Sequence, residues 1–226
     1  MGELDRVLRV YRARAARDAS RRYAADDPAN RLRLEALERE AFALVEEATG
    51  RLAADLRWLD LGCGGGWWLR TLAARGVPPQ RRHGCDLRAE LASAGGAAVV
   101  RAAIDRLPYR GDSFDVVSQF TVFSSVLDPA VRGAAARQAL RVLRPGGVVL
   151  WYDFLWNPLN RDTRGLGARD VRDLFPGAAT VVRRVTLAPP LARPLARCAS
   201  RLHALAYRLP WLRSHLLCVI VPRGES

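Results

Sequence analysis

The sequence of 226 residues predicts an α/β fold: one doubly wound, mostly parallel sheet with helices on both faces. Three observations carry the prediction. Short strand-like apolar runs alternate with helix-length amphipathic segments, so the crossovers are right-handed and neighbouring strands parallel. The first of these strands ends in Asp60-Leu61 and passes into Gly62-Cys63-Gly64-Gly65-Gly66, four glycines in five positions, before a helix-like pattern resumes at Trp67. Half of the residues are apolar, enough for one sizeable core, and the length favours one domain over two.

Taken in order, residues 4–22 place Leu4, Val7, Leu8, Tyr11 and Ala15 on one helical stripe, with Arg6, Arg9, Arg14, Arg17 and Arg21 largely off it. The apolar side is modest and rich in alanine, so docking on the protein's own core is favoured over a membrane surface. Asp26-Asp27-Pro28 starts a second helix from Arg31 to about Thr49, which Gly50 closes. After the glycine turn a helix runs from Trp67 to Arg75, ending at Gly76 and Pro78-Pro79. Strands are expected at 82–87, 97–101, 113–120 and 148–154, with helices at 90–93 and 130–143 between them. Beyond residue 155 come an irregular stretch to 165, a short helix at 168–174 and a strand at 179–187. A Pro-rich Leu/Arg segment with one helix near 194–207 precedes a last strand at 214–221, which makes seven strands.

Composition excludes several function classes. No apolar run reaches the eighteen or more residues of a membrane helix and the N-terminus has no apolar signal segment, so a cytoplasmic protein is expected. Cysteines at 63, 85, 198 and 218 and histidines at 83, 203 and 215 form no metal-ligand spacing, and no metal is expected. The net charge of +13 would ordinarily suggest an anionic partner, but every one of the 36 basic residues is arginine, the signature of a GC-rich coding bias. The arginines are read mainly as solvated helix faces.

The glycine turn can approach a ligand closely, and spacing discriminates among ligands. A dinucleotide fingerprint started at Gly62 would need glycine where Trp67 stands, and a phosphate loop would need a lysine that the chain lacks. The pattern that fits is D-x-G-x-G-x-G at Asp60, Gly62, Gly64 and Gly66. Acids follow at Asp86 and Asp105, spaced by twenty and nineteen residues. Carboxylates accept hydrogen bonds from a ribose diol or an adenine amine, and a sulfonium cofactor without phosphate needs no anion clamp.

Over residues 57 to 155 the sequence resembles the class I S-adenosylmethionine-dependent methyltransferases. Leu107-Pro108-Tyr109, Ser113-Phe114-Asp115-Val116-Val117 and Leu140-Arg141-Val142-Leu143-Arg144-Pro145-Gly146-Gly147 are similar to later motifs of the type 11 branch, which includes quinone-biosynthesis enzymes. The resemblance implies a Rossmann-like seven-stranded sheet with the last strand antiparallel and an N-terminal helical lid. It implies a single domain, with a lid at 1–50, a cofactor core at 51–155 and an acceptor-side part at 156–226. Carried over by position, Asp60, Gly62, Cys63, Gly64 and Gly66 face the methionine part of the cofactor, Asp86 with Leu87 the ribose, and Asp105 with Arg106 the adenine. Gln119, Phe120 and the lid residue Tyr23 are expected to border it. The cofactor implied is S-adenosyl-L-methionine, with S-adenosyl-L-homocysteine as product.

Methyl transfer asks for alignment of the acceptor and, for a hydroxyl or amine, a base. Asp153, closing the fifth strand, is the first candidate and Asp128 the second, with Tyr152 and His215 behind them; each acid is equally at home as a cap. Arg161 and Arg164 could receive an anionic acceptor. A small-molecule acceptor is favoured. Nucleic acid is disfavoured because the fourth strand ends Ser118-Gln119-Phe120-Thr121 rather than in a base-amine motif. A membrane-associated quinone or lipid acceptor, and a non-catalytic cofactor-binding protein, are the other readings.

Overall fold

The computed structural model describes residues 2–16, 28–88, 95–157, 160–188 and 205–223. Helices α1 (Glu3–Ala16) and α2 (Pro28–Thr49) precede strand β1 (Trp58–Leu61). There follow α3 (Trp67–Ala74), β2 (Arg82–Asp86), β3 (Ala98–Arg101), β4 (Phe114–Phe120), α4 (Pro129–Val142), β5 (Leu143–Phe154), α5 (Ala168–Leu174), β6 (Ala179–Leu187) and β7 (Arg213–Val221). The expected helix at 90–93 lies outside the described residues, as do residues 17–22 of the first helix and most of the 194–207 segment.

One seven-stranded sheet results, in the order β3-β2-β1-β4-β5-β7-β6. β1 to β5 are parallel where they pair, and β7 runs antiparallel between β5 and β6. β1 lies inside the sheet between β2 and β4 and is buried along its whole length, which explains an apolar run without polar alternation. Because side chains alternate across a strand, the sheet has two cores. Leu59, Val117, Val149 and Trp151 meet Ala135, Ala139 and Val142 of α4 on one face. Trp58, Val116, Leu150 and Tyr152 meet Leu37, Ala41 and Val45 of α2 and Leu69 and Leu72 of α3 on the other.

One boundary moved. β5 begins at Leu143, which pairs with Phe114, and the register shifts before Val116 pairs with Val148. The Pro145-Gly146-Gly147 segment, with Gly146 at φ +77°, is a bulge inside the strand rather than a turn ahead of it.

Among the described residues no helix is long and apolar enough to cross a membrane, and no cluster of His, Cys, Asp and Glu could hold a metal ion. Cys63, Cys85 and Cys218 are free and buried; Cys198 lies outside the described residues.

Candidate active site

β1 runs out into a turn in which Gly62, Gly64 and Gly66 adopt φ of +62°, +51° and +73°. Glycine adopts that region without the penalty a Cβ brings. At Gly62 the demand is also steric, since a Cβ would stand 2.7 Å from Cγ2 of Val122. Within β2, a Cβ on Gly84 would lie 2.9 Å from Sγ of Cys63, so its absence lets the turn rest on the neighbouring strand. The Cys63 N–H donates to the Cys85 carbonyl at 3.0 Å. The Cys63 thiol is buried, and burial with Asp60 and Asp86 nearby holds it protonated.

Asp86, the last residue of β2, ties this turn to the strand end. Its Oδ2 accepts from Gly64 N–H at 3.0 Å and its Oδ1 from Arg88 N–H at 2.9 Å. Arg88 Nε also stands 3.5 Å from Oδ1; a carboxylate has about four acceptor positions, so the remaining capacity lies chiefly on Oδ2. After β3 the chain turns through Ala102–Arg106. There Oδ1 of Asp105 is buried and, among the described residues, has no hydrogen-bond partner. A buried acceptor without a donor is costly, and an amine arriving beside it would satisfy it. Arg106 is exposed in the same turn.

Between these strand ends and α1 lies a mostly apolar cavity. Val7, Leu8 and Tyr11 of α1 form one wall; Gly62, Asp86, Leu87, Arg88, Ala102, Ile104 and Val122 form the other. α1 is tied down on both sides. Glu3 Oε1 accepts from Leu127 N–H at 2.6 Å, and Arg6 bridges Glu3 and the Ser125 carbonyl. The bond from Arg6 holds the Glu3 carboxyl below its usual range against a burial penalty. On the opposite side the Arg88 guanidinium stands 5.1 Å from the Tyr11 ring centroid. Sequence reasoning missed Arg88, Ile104, Val122 and the Glu3–Arg6 pair. Arg88 was within reach, two residues past a strand-ending acid; the others meet the cavity only through tertiary packing. Tyr23, expected in the lid, lies outside the described residues.

Asp60 is 3 % exposed and accepts a hydrogen bond from the Ser118 hydroxyl at 2.9 Å. Burial pushes its carboxyl up to about 8, with the Ser118 bond opposing. It underpins the glycine turn from below and does not line the cavity.

The ends of β4 and β5 differ from expectation. Asp153 is fully buried; its Oδ2 accepts from Ser124 N–H at 3.0 Å and its Oδ1 from Phe154 N–H at 2.9 Å. Burial raises it to about 6 despite those bonds. It braces the loop after β4 and presents no surface to an acceptor. Gln119 is a second brace: its Nε2 donates to the Tyr152 carbonyl and its Oε1 accepts from Val122 N–H at 3.0 Å. It is fully buried, so it holds the cavity wall through Val122 rather than bordering a cofactor directly. Between the braces Thr121 sits at φ +58°, a strained value for a β-branched residue that surrounding structure must impose. Phe120 packs edge-on to Trp67 at 5.2 Å and beside Trp68 and Tyr152, forming an aromatic wall.

Asp128 caps α4, accepting from Ala130 and Val131 N–H at 2.8 and 3.4 Å. The structure therefore engages both acids considered for proton removal elsewhere: Asp153 satisfies a buried N–H of the loop after β4, and Asp128 the first N–H groups of α4. Tyr152 shares a 2.8 Å hydrogen bond with Thr186. His215, 5 % exposed and bonded to Ser214, is lowered to about 3 by burial and by Arg33, hence neutral. Arg164 is pinned, its N–H on the Ser124 carbonyl and its guanidinium 2.9 Å from Asp170. Arg161 is exposed.

Comparison with known proteins identifies the family. A family described as "Methyltransferase domain" matches residues 33–184, which hold both the glycine turn and the two acids. An uncharacterized methyltransferase of Mycolicibacterium vanbaalenii is 34% identical over 144 residues, 58% of this chain and 54% of that protein. The chain spans about half or less of the curated relatives it matches. Among solved structures, the 1,6-didemethyltoxoflavin-N1-methyltransferase of Burkholderia thailandensis, bound to 1,6-didemethyltoxoflavin and S-adenosylhomocysteine, superposes with a TM-score of 0.63. It is 19% identical, with coverage of 97% of this chain and 88% of that one. The PH0226 protein of Pyrococcus horikoshii gives 0.62 at 15% identity, covering 91% and 99%. At these identities the two structures speak to the fold. By its matched residues the chain belongs to the methyltransferase domain family, and its fold is shared with the S-adenosylhomocysteine-bound methyltransferase.

Proposed function

We propose that the chain binds S-adenosylmethionine in the cavity beneath α1 and transfers its methyl group to a hydroxyl or amine of a small molecule. The observation that carries this reading is the pairing of Asp86 with Gly64 at the end of β2, where Asp86 lines the cavity, together with the buried Asp105 Oδ1, which follows the cavity residue Ile104 and has no hydrogen-bond partner among the described residues. The donor set fits a nucleoside cofactor: Asp86 would hold the ribose hydroxyls, Asp105 the adenine amine, and Leu87, Ile104 and Val122 the faces of the base. The turn from Gly62 to Gly66 would lie against the amino-acid end, where the missing side chains leave backbone accessible. When bound, the cofactor supplies a methyl group already activated by a sulfonium.

The protein's share is positioning and exclusion of water, which can lower a barrier by about 7–11 kcal/mol. The braces Gln119 and Asp153 fix the loop 121–125, and Glu3 and Arg6 fasten α1 to the same loop. Asp153 is engaged on both oxygens by backbone N–H groups and Asp128 on one, as a helix cap, which favours an acceptor that loses its proton easily. The motif stretches at 107–109, 113–117 and 140–147 support a place near the type 11 branch. The domain would then divide into a lid at 1–50, a cofactor core and an acceptor side from 156.

Calorimetry with S-adenosylhomocysteine tests the assignment. The wild-type chain should bind, and Asp86→Ala should bind about 10- to 100-fold more weakly, the loss of a charge-assisted pair of hydrogen bonds. Unchanged affinity in Asp86→Ala would remove Asp86 from the ribose.

A further inference from the structure

The positive charge is not spread evenly. From residue 174 to 224 there is no acid at all, and residues 174–226 hold eight arginines against the single Glu225, a net +7 of the chain's +13 in less than a quarter of its length. Coding bias explains arginine in place of lysine, yet it does not explain the removal of acids from one segment.

This part of the chain and the end of β5 next to it expose large apolar side chains. Trp211 is 70 % exposed, Trp156 62 % and Leu205 59 %. The two tryptophans leave the sheet at one end. Phe154 pairs with His215, and Leu155 N–H donates to the Ser214 carbonyl at 2.9 Å. Trp156 therefore follows β5 where the one-turn 3-10 helix Pro210–Leu212, which carries Trp211, leads into β7. Arg184 and Arg208 of the same stretch are exposed, as is Arg161, which the exposed Asp162 follows. Arg213 lies 4.6 Å from the Tyr207 ring and donates to the Arg184 carbonyl, which holds this corner together. Arg183, by contrast, is paired with Glu40.

Single exposed apolar residues are ordinary. Trp211 and Leu205 within the acid-free stretch, with Trp156 beside them at the end of β5 and exposed arginines, form the composition of a surface that sits at a lipid interface: indole rings at the headgroup level, leucine toward the acyl chains, guanidinium groups on the phosphates. We infer that this corner, at the end of the sheet that also bears the glycine turn, docks the protein on an anionic phospholipid bilayer. A nucleic acid would also accept the arginines, but it offers nothing to an exposed leucine. The inference does not depend on methyl transfer.

The test is co-sedimentation of the full chain with vesicles of phosphatidylglycerol and phosphatidylcholine, against vesicles of phosphatidylcholine alone, at low and high ionic strength. The expected result is binding to the anionic vesicles at low salt, loss in high salt, and little binding to the zwitterionic ones. The double variant Trp156→Ser, Trp211→Ser should bind the anionic vesicles at least about tenfold more weakly, having lost most of the buried apolar area. Its melting temperature and S-adenosylhomocysteine affinity should be those of the wild type. Absence of binding to anionic vesicles at low salt, or equal binding by the double variant, overturns the proposal. So does displacement from the vesicles by short duplex or single-stranded DNA, which would assign the surface to nucleic acid.

Discussion

The rim of the sheet over β2 and β3 and the rim over β4 and β5 both end in acids, and the chain uses them in opposite ways. Asp86 lines an apolar cavity and Asp105 follows the cavity residue Ile104, each with acceptor capacity left over. Asp153 and Asp128 have given theirs to backbone N–H groups of a strained loop and a helix start. The first rim is arranged to receive a molecule; the second is arranged to hold itself in shape. Rigid support beside an open, hydrogen-bonding pocket is how binding geometry is maintained without reorganisation when the ligand arrives. The difference predicts that acids of the two rims separate by readout: one kind governs ligand affinity, the other stability.

The largest effect should come from the acid between the rims. Asp60 has a folded-state value of about 8 and an unfolded value near the ordinary range of aspartate. Its folded state therefore holds a proton that the unfolded chain releases, so stability falls as pH rises from about 4 to about 8 and levels off above. Asp60→Asn, which can still accept from Ser118, should lack this slope. By urea titration across that pH range, the variant should gain on the wild type with rising pH, by up to several kcal/mol, given 1.4 kcal/mol for each pH unit. Parallel curves would show that Asp60 ionises freely.

Next in size is Asp153→Ala, which strands the buried Ser124 N–H and weakens the turn at Phe154. Unsatisfied buried donors cost about 1–3 kcal/mol each, so a loss of about 3 kcal/mol in unfolding free energy is expected. Affinity for S-adenosylhomocysteine, measured on the fraction still folded, should change little. A large affinity loss at unchanged stability would reverse the division between the rims.

The unequal legibility of the two rims has the same physical root. Gly62, Gly64 and Gly66 answer a local demand, positive φ within five residues, and Asp86 ends a strand whose apolar run is itself local; such demands are written in contiguous sequence. The strands from β1 to β4 were readable to within a residue or so for the same reason. β5 was not, because whether Pro145-Gly146-Gly147 is a turn or a bulge depends on pairing with Phe114 and Val116, about thirty residues upstream. Asp128 before Pro129 was legible as a helix cap, because its partners are two and three residues on; Asp153 was not legible as a brace, since the Ser124 N–H it holds is brought in by folding. Nor does periodicity in α1 disclose that Glu3 would reach Leu127, over a hundred residues away.

The smallest effect is also the most discriminating, because it concerns an acid whose role within the protein is negative. Among the described residues Oδ1 of Asp105 accepts no hydrogen bond although it is buried, so removing the carboxylate should cost the unliganded fold little and should relieve an unmet acceptor. The Asp105→Ala variant is expected to melt at or slightly above the wild-type temperature. Its affinity for S-adenosylhomocysteine should nevertheless fall by about 1–2 kcal/mol, roughly 5- to 30-fold, the worth of a hydrogen bond to a charged acceptor. An analogue whose adenine amine is replaced by hydrogen should bind wild type and variant alike, since the bond would be absent from both. If the variant loses stability and keeps its affinity, Asp105 belongs with Asp153 and Asp128 as a structural acid, and the receiving rim contracts to Asp86 and the glycine turn.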